Sequence, residues 1–309
     1  MAARNVRYKL INNFIPQTSI TIVILLSIFA HATILGSISA PSYAYSPCRC
    51  VIFVMDDVND STFRKVQIAT MDYFLDRNLP FTASIIASKL ANSSNLDVFH
   101  KVEEVVDRGL FEIAIHGYRH VNHAALTKEE QINDLSLAKG KLEYLFGKRA
   151  DIFIPPGSEF NLYTIEALSD LNITLFSSSQ RSEQTTSNPY KSQTLVVTNN
   201  SKLLVSKISD EKPLVYHAPF SVSFLWLLRQ GLSGEELLEE SLRLIDESIA
   251  KYGFAQVRLH PSDFSQVNAT TGKGIDELDT IRFQDLTQLV DMLEARNLKI
   301  ATFSDIYPP

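Results

Sequence analysis

The sequence Val51-Ile-Phe-Val-Met-Asp-Asp57 joins an apolar run to two adjacent acids. The run has the length of a buried strand, and the amphipathic stretch at residues 61–76 has the period of a helix. About 260 residues hold seven or eight such strand and helix units. Because this alternation predicts parallel strands joined by crossover helices, we expect an α/β layered or barrel fold in a single domain.

The other predicted elements continue the alternation of strands and helices. Strands are predicted at 81–87, 111–115, 152–154, 173–176, 203–205, 214–216, 256–259 and 299–303, and helices at 97–108, 127–146, 163–171, 234–251 and 283–296. Capping boxes are predicted at Thr127 to Glu130 and at Ser233 to Glu236. The polar stretches 177–201 and 262–279 interrupt the pattern and are predicted to be loops.

Composition narrows the class of protein. The 309 residues are 45% hydrophobic and include 29 basic and 35 acidic residues, for a net charge of −6. This balance excludes a disordered chain, and it lacks the basic excess of a protein that binds nucleic acid through its phosphates. Residues 1–44 hold three basic residues and no acid, so all of the acidic charge lies in the body that follows.

The N-terminal 44 residues have the pattern of an export segment. Basic residues precede an apolar core at residues 20–30, and small residues end at Ala44. These are the parts of a secretory signal, cleaved near Ala44 or Ala40. An uncleaved anchor at residues 20–40 stays open, because roughly 20 apolar residues can span a bilayer. Either interpretation places the body, residues 45–309, outside the cytoplasm, with membrane contact only through an uncleaved segment.

Cys48 and Cys50 are the only cysteines. Two cysteines are too few for disulfide bonds to stabilise a fold of this size. Free thiols, a redox-labile bridge and an intermolecular link are all open for this pair. The pair alone does not make a zinc site, because zinc takes about four ligands.

Three sequence motifs could carry chemistry. Asp56 and Asp57 come where a parallel strand delivers catalytic side chains, although an aspartate there can also cap the next helix. His116-Gly-Tyr-Arg-His120 follows the strand at 111–115. The i, i+4 spacing of the two histidines predicts a helical turn with both imidazoles on one face. There they could share a metal ion with a carboxylate. The alternative is that they are two surface histidines. His123 is expected to be a supporting or exposed residue.

His260 ends the strand at 256–259, and Pro261 stops that strand. A surface imidazole is the ordinary alternative for such a residue. A substrate groove is predicted from Pro155, Pro156, His217 and Trp226. The two prolines would form a rigid wall at a strand end, and the tryptophan would offer an aromatic face to a sugar ring, although core packing also explains its position.

Taken in order, these strand-end motifs resemble the polysaccharide deacetylases, the NodB homology domain of carbohydrate esterase family four. The resemblance runs from about Val51 to Ile306. It is carried by Asp56-Asp57, by His116 to His120 and by Arg258-Leu-His-Pro261. It implies a distorted (β/α) barrel of about seven parallel strands over residues 45–309.

The resemblance also implies roles for these residues. A divalent metal ion would be bound by Asp57, His116 and His120. Asp56 would be the general base and His260 the general acid in removing N-acetyl or O-acetyl groups from a polysaccharide or other glycan. Zn²⁺ is the expected ion, with Co²⁺, Ni²⁺, Fe²⁺ and Mn²⁺ as alternatives, because such sites accept several divalent ions.

Several positions depart from the family pattern. Ile154 stands where an arginine usually precedes the Pro-Pro pair and helps to orient the base, and Gly157 replaces the usual aromatic residue. Gly117 stands where Ser or Thr is common. The family's Asp-Trp motif has no counterpart in residues 177–190, and the single tryptophan is Trp226. These departures bear on substrate and rate more than on reaction type.

Two other functions compete with deacetylation. One is a carbohydrate-binding protein that keeps the fold and has lost turnover. The other is hydrolysis of another non-peptide C–N bond. Retention of Asp56 and His260 favours an enzyme, because binding alone needs neither residue.

Overall fold

The computed structural model describes residues 48–179, 194–197, 202–206, 209 and 211–307. The predicted export segment, residues 1–44, lies outside the described residues, and the domain boundary at residue 44 stays a prediction. Within the described part of the chain, no helix is both long and apolar enough to cross a membrane.

The described strands and helices follow the predicted order closely. The strands are β1 (Cys50–Val58), β2 (Phe81–Ile85), β3 (Phe111–Ile115), β4 (Ile152–Phe153), β5 (Leu175–Phe176), β6 (Thr194–Val197), β7 (Lys202–Ser206), β8 (Val215–His217), β9 (Val222–Ser223), β10 (Phe254–Leu259), β11 (Ser265–Val267), β12 (Gly274–Leu278) and β13 (Lys299–Ala301). The helices are α1 (Arg64–Asp76), α2 (Asp97–Asp107), α3 (Lys128–Phe146), α4 (Leu162–Asp170), α5 (Phe224–Arg229), α6 (Gly234–Tyr252), α7 (Thr280–Ala295) and α8 (Phe303–Ile306).

One large curled sheet organises the domain. Its strand order is β6-β7-β8-β5-β4-β3-β2-β1-β10-β9, and β13 pairs with β1 as well. All pairs are parallel from β8 across to β9, whereas β6, β7 and β8 pair antiparallel. The predicted α/β fold, a distorted barrel of mostly parallel strands in one domain, is confirmed.

Two predicted loops contain strands. Thr194–Val197 pairs with β7, although residues 177–201 were predicted to be a loop. The polar stretch 262–279 includes the antiparallel hairpin of β11 and β12. All three strands are short and lie within polar stretches of sequence, where hydrophobic periodicity gives little signal.

The central strand β1 directs alternate side chains to two sides of the sheet. Val51, Phe53 and Met55 pack in a large cluster with residues of the helices. Ile52 and Val54 belong to a smaller cluster on the opposite, inner face. Because side chains alternate along a strand, Asp56 continues this inner row.

The two predicted capping boxes have different outcomes. Thr127 accepts a hydrogen bond from the Glu130 N–H, and the Glu130 carboxylate accepts one from the Thr127 N–H, as predicted. Ser233 makes no side-chain cap at the start of α6. Gly234, the first residue of the helix, has a φ of 54°, which lies outside the helical range. Its backbone N–H donates a hydrogen bond to the Asp285 carboxylate.

Cys48 and Cys50 form an intramolecular disulfide at the start of β1. Of the alternatives open from the sequence, the structure therefore shows the internal bridge. It encloses only Arg49, so it cannot hold distant parts of the fold together.

Candidate active site

A β-bulge near the end of β1 lets two adjacent acids serve one site. Met55 pairs with Ala83 and Val58 with Ile85, so β1 has one residue more than β2 over this interval. In a regular strand Asp56 and Asp57 would point to opposite faces. Asp57 takes a left-handed conformation with a φ of 62°, and a bulge of this kind redirects a side chain. The two acids thus lie within β1 itself, not after it as predicted.

His116 is fixed at the end of β3 by two hydrogen bonds. The backbone N–H of His116 donates to the carbonyl of Ile85, and the imidazole Nδ1 lies 2.7 Å from the carbonyl oxygen of Ile154. Because a carbonyl can only accept, Nδ1 must carry the proton. This tautomer leaves the lone pair of Nε2 free to bind a metal, which is a common arrangement around metal-binding histidines.

The segment from His116 to His120 is an irregular loop, so the predicted helical turn is wrong. Gly117 and His120 have φ values of 74° and 57°, which reverse the chain and bring the two imidazoles to one place. A Cβ at Gly117 would lie only 3.2 Å from Asp134 Oδ2 and from His123 Cε1. Both the backbone angle and this crowding explain why glycine stands where Ser or Thr was expected.

Asp57, His116 and His120 converge as a candidate metal centre. Asp57 Oδ1 lies 3.4 Å from His116 Nε2 and 2.9 Å from His120 Nε2. One ligand atom from each residue lies within 4.8 Å of the others. A carboxylate with two imidazoles is a donor set that suits a divalent ion such as Zn²⁺. The residues implied by the resemblance therefore fit a metal ion.

Electrostatics within this cluster favour the anionic acid. Burial alone would raise the pKa of Asp57, but the imidazoles of His116 and His120 outweigh burial and hold that pKa far below its ordinary value. The hydrogen bond to Asp57 in turn raises the pKa of His120, against the opposing effect of burial. A metal ion would compete with this proton, because only neutral imidazole binds metal.

Asp134 of α3 supports the histidine loop from behind. Its fully buried carboxylate accepts hydrogen bonds from the Tyr118 N–H at 2.7 Å and from Arg119 Nε at 3.2 Å. His123 is also fully buried, with its Nε2 3.4 Å from Asp134 Oδ2. His123 therefore has the supporting role, and the alternative of an exposed imidazole is wrong. The sequence did contain a signal for Asp134, which is an acid on the apolar face of a helix.

We expect an Asp134→Asn variant to bind metal about 10- to 100-fold more weakly than the wild type, the usual effect of losing a residue that orients metal ligands. The neutral amide would weaken the ion pairs with His123 and Arg119 and loosen the loop. Competition against a chelating dye measures the affinity. Glu129→Gln, an exposed substitution on the same helix, is the control, and wild-type affinity in both variants would contradict the assignment.

A second cluster lies beside the metal centre and contains Asp56 and His260. His260 Nε2 lies 3.9 Å from Asp56 Oδ2, and the Nε of Arg258 lies 3.3 Å from the same oxygen. Among the described residues, Asp56 Oδ1 has no hydrogen-bond partner. That oxygen is also buried.

Asp263 holds His260 from the other side. The His260 N–H donates to Asp263 Oδ2 at 2.7 Å, and the imidazole Nδ1 lies 3.7 Å from the same atom. Burial lowers the pKa of His260, but the charge and hydrogen bonding of Asp263, with smaller effects of Asp56 and Asp57, outweigh it and raise the pKa overall. His260 is thus suited to hold a proton and donate it.

The predicted groove residues occupy different environments. Pro155 and Pro156 are buried. His217 is fully buried and stacks on Phe176 with ring centroids 4.3 Å apart, and burial lowers its pKa to about 4. Trp226 is 40% exposed and lines a cavity of about 680 Å³ together with Phe220. The structure therefore places only the tryptophan of the four in an open cavity.

Sequence comparison shows which family the first part of this chain is similar to. Residues 44–176, which include Asp56, Asp57, His116 and His120, match the sequence profile of the polysaccharide deacetylase family. The resemblance inferred from the motifs is confirmed over these residues. No curated protein matches the chain at a significant level.

Solved structures share the fold at low sequence identity. A putative polysaccharide deacetylase from Mycobacterium smegmatis is 17% identical, with a TM-score of 0.54 over 86% of this chain and 91% of that one. The Bc1960 peptidoglycan N-acetylglucosamine deacetylase is 14% identical, with a TM-score of 0.51 over 85% of this chain and 89% of that one. BA3943, a CE4 family pseudoenzyme from Bacillus anthracis, is 13% identical, with a TM-score of 0.52 over 84% of this chain and 65% of that one. These similarities establish the polysaccharide deacetylase fold.

Proposed function

We propose that the protein is a metal-dependent hydrolase that removes N-acetyl or O-acetyl groups from a glycan outside the cytoplasm. The observation that carries this proposal is the Asp56 and His260 pair, which lies beside the metal ligands and is not needed to bind either a metal ion or a sugar. The export pattern of residues 1–44 supports a location outside the cytoplasm.

The metal would be held by Asp57, His116 and His120. Zn²⁺ suits this donor set best, and Co²⁺, Ni²⁺, Fe²⁺ and Mn²⁺ are alternatives. When bound, the ion would polarise the acyl carbonyl and lower the pKa of a water molecule. His116 is already held in the tautomer that leaves its Nε2 lone pair available.

Two residues would move the protons. Asp56, through Oδ1, would accept the proton of the attacking water as that water forms a bond to the acyl carbon. His260 would donate its proton to the departing sugar nitrogen as the C–N bond breaks, so that acetate and a free amine result. Each positioned proton carrier of this kind contributes about 10² to 10⁴ in rate.

The cavity that contains Trp226 and Phe220 supports a glycan substrate. Ser158 and Ser221 add hydroxyl groups to its wall, and Ser158 contacts Arg258, the ion-pair partner of Asp56. Aromatic faces with nearby hydroxyl groups suit the apolar faces and hydroxyls of pyranose rings. The cavity wall is connected to Asp56 through Ser158 and Arg258.

Acetate release tests the proposal. Purified protein would be assayed on acetylated chito-oligosaccharides, peptidoglycan fragments and acetylated xylan, with metal, with chelator and after metal is restored. We expect release that chelator abolishes and metal restores. If metal binds but no acetylated glycan is hydrolysed, the carbohydrate-binding interpretation replaces the enzyme.

A further inference from the structure

Arg258 is a buried charge in an otherwise apolar part of β10. Only 3% of its side chain is exposed, and it lies between Val257 and Leu259, both fully buried. A charged group in such a place is costly unless it is paired and hydrogen-bonded. Even then, a buried ion pair stabilises a fold little more than apolar residues of the same size would. Stability alone therefore does not account for an arginine at this position.

The guanidinium makes four contacts with different parts of the site. Its Nε lies 3.3 Å from Asp56 Oδ2, and its Nη1 donates to Ser158 Oγ at 2.6 Å. Its Nη2 donates to the carbonyl oxygen of Ser177 at 3.2 Å, and its Cζ lies 4.1 Å from the ring centroid of Phe220. The arginine thus connects Asp56 to three loops at the same edge of the sheet.

These contacts restrict the Asp56 carboxylate to one orientation. Ser158 follows β4, Ser177 follows β5 and Phe220 follows β8, so the guanidinium is held independently of β1. The attraction of Arg258 for Oδ2 leaves Oδ1 as the oxygen without a partner among the described residues. A planar guanidinium has donors in a fixed fork and can make these contacts at once, whereas a lysine ammonium is a point charge on a flexible stem.

We propose that Arg258 is the positioning residue of Asp56, holding its carboxylate beside His260. The proposal rests on the proposed function in that Asp56 is taken as the general base. Arg258 contacts Ser158 and Phe220 in the wall of the Trp226 cavity.

Arg258→Gln, Arg258→Lys and the exposed control Arg296→Leu test this proposal. We expect kcat for acetate release to fall about 10- to 100-fold in Arg258→Gln, the range for residues that orient a reacting group. Arg258→Lys should recover part of that loss, because the charge remains but the fork is lost. KM and metal content should stay within about threefold of the wild type, since Arg258 binds no metal.

A crystal structure of Arg258→Gln provides a measurement that does not depend on activity. We expect the Asp56 carboxylate to leave its place beside His260. If Asp56 keeps that place, or if Arg258→Gln keeps wild-type kcat, the proposal is overturned. A loss of kcat that is matched by an equal loss of metal would also overturn it.

If the wild type releases no acetate, the proposed function fails, and the position of Asp56 alone then decides the role of Arg258. Arg258→Lys serves for this crystal structure if Arg258→Gln does not fold.

Discussion

An Asp56→Asn variant is expected to bind as much metal as the wild type and to release acetate about 10² to 10⁴ times more slowly. An amide of the same shape cannot accept the proton of water, and Asp56 is not among the three converging metal ligands. Acetate release and elemental analysis of the same preparation measure the two effects. The variant should also be less stable, because Arg258 would be left buried without a counter-charge, so activity is measured well below its melting temperature.

Two comparisons make this result specific. His260→Ala should also lose turnover while keeping its metal, since His260 is the proposed proton donor. Asp246→Asn, which changes an exposed acid paired with Arg296, should behave as the wild type. Full turnover by Asp56→Asn would remove Asp56 as the base, and loss of metal from that variant would make it a metal ligand instead.

The order of strands and the positions of their ends could be predicted from sequence. Apolar runs such as residues 51–55 and 111–115 are local features, and each becomes a buried strand. Parallel strands bring their C-terminal ends to one edge of a sheet. This rule alone predicts that Asp57, His116 and His260 come together from distant parts of the chain, as they do in the structure.

The local geometry of the site could not be predicted in this way. The bulge at Asp57 depends on the register between β1 and β2, which no local pattern specifies. The i, i+4 spacing of His116 and His120 predicted a helical turn, but two left-handed residues produce the same convergence in a loop. The spacing thus correctly indicated that the two imidazoles converge, but it predicted the wrong backbone conformation.

Side chains that support the site were also missed, because their partners are far away in sequence. Asp134 contacts a loop about 15 residues earlier, and Arg258 contacts Ser158 and Asp56 across the sheet. A charge within the apolar run of β10 was visible in the sequence. Without the fold, however, there was no means of identifying its partner.

Arg258 contacts Asp56 although Ile154 occupies the position of the family's usual arginine. Ile154 is fully buried and offers only its carbonyl oxygen to His116. The arginine that usually precedes the Pro-Pro pair and helps to orient the base is missing here. In the structure an arginine from β10 contacts Asp56. The isoleucine is therefore not by itself an argument for lost activity, although a pseudoenzyme shares this fold.

Asp263 is the acidic partner of His260. Its fully buried carboxylate lies three residues after His260 and receives the His260 N–H. The short segment from Arg258 to Asp263 therefore supplies a partner for the base, the proposed acid and a partner for that acid. Such a grouping favours an enzyme over a binding protein, because glycan binding needs no oriented proton donor.

An Asp57→Asn variant is expected to lose its metal on dialysis. The substitution removes the only anionic ligand of the three and leaves two neutral imidazoles with a weakly coordinating amide. Asparagine keeps the shape of the side chain and tolerates the left-handed backbone at this residue, where φ is 62°. The apo fold should therefore persist, so that loss of metal is separable from loss of structure.

Thermal and chemical unfolding with and without Zn²⁺ measure this effect independently of activity. At a free metal concentration of about 100 times Kd, binding to the folded state alone raises the free energy of unfolding by about 2.7 kcal/mol. The wild type should show a rise of that size, and Asp57→Asn should show almost none. Asp246→Asn should keep the wild-type response. An equal rise in Asp57→Asn would mean that the ion binds elsewhere, and the proposed catalytic arrangement around Asp57 would then have no basis.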